Sequence, residues 1–219
     1  MKRPGVAACF LCVFLTIFSF PANTADLKST EEETLSIYFN DEKVGYEEYV
    51  WTSSQDGYCL SGKGRIEKPV PITIDLIEIH LDGSYIPLRY TFKGTISGVY
   101  QEIQSEFREG EGANQITVAG QSQEYQVNIR RDAFLLPNPL FSPYVVITKK
   151  FGCSVSEALE LSAYTIPQLE TPFLLEAKEE DPCTLLMTLS SIQIEIQTNE
   201  EGDLVSIVIS SQGLRVVRD

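Results

Sequence analysis

The residues best placed to do chemistry are Glu78, His80 and Asp82, spaced two apart in Ile77-Glu78-Ile79-His80-Leu81-Asp82. Alternate residues of a strand project from one face about 6 to 7 Å apart, near enough to share a proton or a cation. Asp75 joins them if the strand carries a bulge. The bland alternative is a solvated outer face on which acids and a histidine coexist, as is usual on the wet side of a sheet. His80 is the sole histidine, so a multi-histidine metal site is excluded by count, and serine–histidine catalysis could use no other ring. Glu47 and Glu48 are adjacent and in a strand point to opposite faces, which makes them a poor glycosidase-like pair.

Other chemical signatures are missing. Gly94-Thr95-Ile96-Ser97-Gly98 has the wrong offset for a nucleophile elbow. Gly110-x-Gly112 is followed by neither a third glycine nor a helix start, so it is no phosphate cradle, and no cofactor motif is present. Cys59, Cys153 and Cys183 lack zinc-ligand spacing and a nearby histidine. An oxidising compartment permits one disulfide among them by any of three pairings, Cys153 with Cys183 being the first to test. Unbonded, buried thiols are the alternative.

A second group of residues is suited to binding. Leu135-Leu136-Pro137-Asn138-Pro139-Leu140-Phe141 is an apolar, proline-stiffened loop. Helix grammar follows it, with Ser142 at the N-cap, Pro143 at N1, Lys149 and Lys150 in the last turn and Gly152 at C′. Tyr144, Ile147 and Phe151 would share one helix face, although the β-branched run Val145-Val146-Ile147-Thr148 argues for a strand. The segment either plugs the open side of a curved sheet or forms the lip of a hydrophobic pocket. In the second case Leu135, Leu136, Leu140, Phe141, Tyr144 and Ile147 are the ligand-binding residues.

The elements that position these groups are strands. From Thr34 onward a two-residue period broken by turn residues predicts successive antiparallel strands. Leu35–Phe39 turns through Asn40 to Lys43 into Val44–Trp51, with Gly45 as a bulge. In Ile72–Leu81 the apolar positions Ile72, Ile74 and Leu76 change parity to Ile77, Ile79 and Leu81, which predicts a β-bulge at Leu76 and Ile77. That bulge would leave Asp75 and His80 exposed. The strands from Tyr100 to Arg130 are markedly polar, as in a sheet with a wet face or exposed edges. Asn199-Glu200-Glu201-Gly202-Asp203 makes the last hairpin turn.

Address and charge narrow the partners. Lys2 and Arg3, the apolar run Val6–Phe20 and the small residues Pro21 to Ala25 read as a cleavable signal peptide over residues 1–25. Its apolar run of about 15 residues is short of the roughly 20 that span a bilayer, so the expected product is periplasmic or extracellular with no integral membrane span. Cleavage after Ala25 takes 25 of 219 residues and leaves 194, a short acidic flexible segment (26–33) and one β domain (34–219). Loss of Lys2 and Arg3 moves the formal charge from −14 to −16. Such acidity disfavours nucleic acid and anionic lipid surfaces as partners.

Asn40 with Val44-Gly45-Tyr46-Glu47, Pro87-Leu88-Arg89-Tyr90, Ile166-Pro167-Gln168 and Ser211-Gln212-Gly213-Leu214-x-Val216-Val217-Arg218 form a pattern over nearly all of the mature chain. It resembles an uncharacterised group of exported bacterial β-rich proteins, domains of unknown function, that are distantly similar to the periplasmic lipoprotein carriers. The resemblance implies a curved antiparallel sheet around a hydrophobic cavity and carries no site residues. The expected fold is all-β, a single curved antiparallel meander of about a dozen strands forming a half-barrel or open barrel, with at most one short helix. The expected function is non-catalytic binding, as a carrier of a hydrophobic ligand such as a lipid or acyl chain in the cell envelope. The alternatives are an envelope assembly protein that binds another protein by a strand edge, and an enzyme built on Glu78, His80 and Asp82.

Overall fold

The alternation of apolar and polar residues becomes fifteen strands and one α-helix in a computed structural model that describes residues 32–167 and 169–219. The expected signal peptide and its cleavage site lie outside the described residues. Eight strands come first: β1 (Glu32–Phe39), β2 (Glu42–Ser54), β3 (Gly57–Ile66), β4 (Ile72–Leu81), β5 (Pro87–Ile96), β6 (Val99–Arg108), β7 (Glu111–Val118) and β8 (Gln121–Asn128). Then come β9 (Phe134–Leu135), α1 (Tyr144–Phe151), β10 (Leu159–Thr165), β11 (Leu169–Lys178), β12 (Asp181–Leu189), β13 (Ile192–Thr198), β14 (Leu204–Ile209) and β15 (Leu214–Arg218). Glu32 and Glu33 already belong to β1, so the expected flexible segment loses these two residues to the sheet.

All fifteen strands form one sheet in the order β8-β7-β6-β5-β4-β3-β2-β1-β15-β14-β13-β12-β11-β10-β9. Two meanders meet in its middle, where β1 pairs with β15 in the register Leu35↔Arg218 and Ile37↔Val216. The two edges, β8 and β9, are consecutive in the chain, and this connection dictates the curvature. Laid flat, fifteen strands put the edges about 67 Å apart at ~4.8 Å per strand. The linker from Asn128 to Phe134 spans at most about 21 Å at ~3.5 Å per residue, so the sheet has to curl until its edges approach.

The curl stops short of a closed barrel, since no ladder joins the edges. Side chains bridge the gap instead. Asn114 on β7 donates from Nδ2 to the Tyr164 hydroxyl on β10 at 2.9 Å and to the Pro167 carbonyl at 3.4 Å. Phe107 on β6 meets the Tyr164 ring edge-on at 6.0 Å between centroids. β10 therefore packs under β6 and β7, and β8 overhangs the seam with most of its residues exposed.

The parity change in β4 is real but sits one residue earlier than expected. The ladder to β5 shifts between Ile74 and Leu76, so Asp75 and Leu76 form the bulge. Ile74 and Ile79 are buried on the same side, as expected, and Asp75 is exposed. Leu76 stays on the outer face opposite Lys93, and His80 is half-buried rather than exposed because it lies between Cys59 and Arg89. Gly94 explains the position: a Cβ there would lie 2.3 Å from the Thr73 carbonyl oxygen, so only glycine lets β5 approach the bulge.

The concave side is filled by the chain itself. Leu135, Leu136, Leu140 and Phe141 are 4 to 7 % exposed, and Val145 and Ile147 on α1 are fully buried. They pack against Leu35, Leu60, Ile79 and Tyr90 of one wing and Leu175, Leu185 and Met187 of the other, in one continuous core. The β-branched run is helical because an interior site rewards buried apolar area more than the few tenths of a kcal/mol of propensity it costs. A disulfide between Cys153 and Cys183 fastens the chain just after α1 to β12, and Cys59 is left as a free thiol.

Candidate functional site

The outward-facing residues of β4 to β8 line up across the strands. One row runs Glu78, Thr91, Gln104, Gln115, Glu124, and a neighbouring row runs His80, Arg89, Glu106, Ala113, Gln126. Five strands at ~4.8 Å spacing make each row about 19 Å long. Along them lies a groove of about 650 Å³, within the range of natural ligand clefts.

The groove is polar and carries both charges. Lys93 stands 3.1 Å from Glu102, and Gln104 donates to the same carboxylate at 2.9 Å. The Gln104 bond and the Lys93 ammonium hold Glu102 below the usual carboxylate range, while Glu102 pushes Lys93 up. Arg108 lies 3.5 Å from Glu106. Pairs this open to water add little stability, and their effect is to fix where charge is presented. Arg89 is exposed and makes no ion pair among the described residues.

The residues expected to do chemistry do not assemble. Glu78 and His80 share the outer face, but Asp82 lies in the turn, where its Oδ1 accepts the backbone N–H groups of Ser84 at 2.8 Å and Ile86 at 2.9 Å. The neighbour of His80 is instead Cys59, its cross-strand partner, with Sγ 4.0 Å from Nε2. Burial, and then the charge of Glu78, push the Cys59 thiol up, opposite to the depression that activates a nucleophilic cysteine. Among the described residues no three His, Cys, Asp or Glu side chains gather to hold a metal ion.

The adjacent acids Glu47 and Glu48 do face opposite ways, and this separates their roles. Glu48 pairs with Lys63 on the outer face at 3.0 Å. Glu47 points into the core, 1 % exposed, and its two oxygens accept the backbone N–H groups of Phe141 at 2.9 Å and Ser142 at 2.8 Å. Burial pushes its carboxyl above the ordinary range, and the two N–H bonds pull the other way. The helix start is thus held from across the sheet: Pro143 is the N-cap with no side-chain bond, and the expected Ser142 cap is replaced by the Glu47 carboxylate. Glu47 could have been found from parity, since it shares the inward face of β2 with Tyr49.

The residues expected to bind a hydrophobic ligand come together, but as packing. Leu135, Leu136, Leu140, Phe141 and Ile147 are core residues, and Tyr144, half-buried beside them, has its hydroxyl pushed up to about 12 by burial. An apolar-floored cavity of about 330 Å³ lies elsewhere, between the β4–β5 and β6–β7 turns and the end of β8, with Ile86, Pro87, Phe107 and Ile129 below Arg108 and Arg131. The rings of Trp51, Tyr58 and Tyr85 stack at 5.4 and 4.4 Å. Tyr85, at φ 65°, is strained for an aromatic residue and is held by that stack and by its hydroxyl, which donates to the Lys149 carbonyl of α1 at 3.0 Å.

No family model matches the chain, and no curated protein matches it. Among solved structures, a DUF1089 family protein from Pseudomonas aeruginosa is similar over 93 % of this chain and 98 % of its own, with a TM-score of 0.46 and 11 % identity. No residue role passes between the two chains at that identity.

Proposed function

We propose that this is an exported, non-catalytic binding protein that takes its ligand on the outside of the sheet, in the polar groove across β4 to β8, and that the ligand is another polypeptide of the cell envelope. The observation that carries this reading is the occupied interior: the space in which a lipid carrier would hold an acyl chain contains Leu135 to Phe151. The groove has amide, carboxylate and guanidinium groups in regular rows, which suit the alternating donors and acceptors of an extended chain. Export rests on the basic and apolar pattern of residues 1–25.

Envelope material captured by cross-linking to the secreted protein tests the proposal. Capture of one protein species that is lost in Arg89→Glu with Gln104→Ala, while the fold is kept, is the expected result. Equal capture by wild type and variant would overturn it. A second reading, a carrier of an amphipathic acid, is favoured by the 330 Å³ cavity, where an apolar floor meets Arg108 and Arg131. Solvent extraction and mass spectrometry of the purified protein would then reveal a bound fatty acid or lipid that Phe107→Ala releases.

A further inference from the structure

The edge strand β8 lacks most of the devices by which proteins usually blunt a sheet edge, Glu124 being its one charged residue. It is eight residues long, Gln121-Ser122-Gln123-Glu124-Tyr125-Gln126-Val127-Asn128, with no proline or lysine, and its ladder to β7 runs without a bulge from Glu111↔Asn128 to Val118↔Gln121. The opposite edge, β9, is only two residues long and buried. The Ile129 N–H reaches the Gly110 carbonyl at 2.9 Å, so in the same ladder the odd-numbered residues of β8 bond to β7. The even-numbered ones, Ser122, Glu124, Gln126 and Asn128, therefore turn their backbone N–H and C=O groups away from the sheet, unpaired. The seam at Tyr164 lies under β6 and β7; the Arg130 N–H, the next outward group after Asn128, is taken by the Glu170 carboxylate of β11 at 3.2 Å, and among the described residues no hydrogen bond from the C-terminal wing reaches the backbone of Ser122 to Asn128.

We propose that this edge pairs with the β8 edge of a second copy of the chain, antiparallel and centred on Tyr125, to join two sheets into one. The sequence of the strand selects that register. Centred on Tyr125, Glu124 meets Gln126 of the second copy and Ser122 meets Asn128, so each carboxylate faces an amide and all four outward residues are paired, with about eight backbone hydrogen bonds. Centred on Glu124, two carboxylates would face each other, and centring on Gln126 or Gln123 leaves part of the edge unpaired. Glu124 and Gln126 line the end of the outer groove, and residues opposite each other in a sheet share a face. The pairing therefore runs the grooves of two copies into one trough, with Gln126 of one copy beside Glu124 of the other. The trough rests on the function proposed above, whereas the pairing itself does not.

Sedimentation velocity of the full secreted protein from about 1 µM to about 1 mM should show a monomer–dimer equilibrium, with a Kd on the order of 1 to 100 µM, as a small polar interface gives. Gln126→Pro removes an outward N–H that β7 does not use, and it should weaken the dimer at least about tenfold with the monomer still folded. Gln126→Glu, a surface change that keeps the fold, should weaken it about tenfold through two facing carboxylate pairs, and E124K with Q126E should restore it. In a Cys59→Ser background, Tyr125→Cys should form a disulfide-linked dimer in air, which Ser97→Cys should not. A chain that stays monomeric throughout, or a dimer indifferent to both Gln126 variants, overturns the proposal. Groove-dependent capture of an envelope protein by a monomeric wild type would overturn the pairing alone and leave the binding function standing.

Discussion

The plug from Leu135 to Phe151 and the overhang of β7 and β8 are built on opposite principles. The plug is apolar, largely buried apart from its Asn138 tip and the end of α1, and carries its polar start on a buried carboxylate from another strand. The overhang is polar on most of its surface, and β8 is bonded along one side only. The difference shows how a single sheet divides its work. Curling spends one face on a core that fixes the fold, and the surplus strands beyond the seam keep a polar outer face and an edge open to solvent.

The largest effect expected at the plug is from Phe141→Ala, which should cost about 3 to 5 kcal/mol in denaturant unfolding, as large aromatic deletions in cores do. A cost below about 1 kcal/mol, the size of a surface change, would make the segment a lip rather than a plug. Reducing the Cys153–Cys183 bond, or replacing both cysteines by serine, should cost about 3 kcal/mol, since it frees a loop with a sequence separation of 30. Unchanged stability on reduction would show that the plug is held by packing alone.

Glu47 gives a smaller effect with a definite sign. Its folded-state pKa is raised above 4.5 by burial, so protonation favours the folded chain. The stability due to protonated Glu47 is fully present below the unfolded-state value and is lost as pH rises through the raised folded-state value. The difference in unfolding free energy between wild type and Glu47→Gln should therefore grow in favour of wild type as pH falls from neutral towards 4.5. Subtraction removes the opposite trend of Asp132 and Asp203, whose lowered values cost stability as they protonate. A difference that is flat with pH would mean that Glu47 is not buried as a carboxylate.

The smallest effects belong to the overhang. Gln104→Ala and Gln115→Ala on the outer face should each change stability by less than about 0.5 kcal/mol. Amides of Ser122, Glu124 and Gln126 should exchange with solvent faster at low concentration than those of Gln123, Tyr125 and Val127, which bond to β7. Uniform protection along β8 in dilute solution would show an edge already covered.

Much of this architecture was legible residue by residue. The hairpin after Phe39, the last turn at Asn199 to Asp203 and the parity change in β4 were readable from local patterns, and the structure places all three. The bulge was misplaced by one residue because Leu76 looks like a core residue, and only the close approach of Gly94 explains why it faces out. The helix at Tyr144–Phe151 was readable from Pro143 and Gly152, but its cap was not, since Glu47 lies nearly a hundred positions away in sequence.

Local sequence decides what local forces govern: where strands alternate and turn, which face of each is apolar, and that three cysteines after the signal segment leave at least one thiol over while three pairings remain open. The tertiary structure alone decided that β1 and β15 meet in mid-sheet, that β8 and β9 become opposite edges, and that the apolar loop fills the interior. It also decided which cysteines join and which of two adjacent glutamates is buried. The physical reason is range. Hydrophobic periodicity and turn chemistry act over a few residues, whereas register and closure are set by burying one face of fifteen strands at once, with a linker too short to let the edges stand apart.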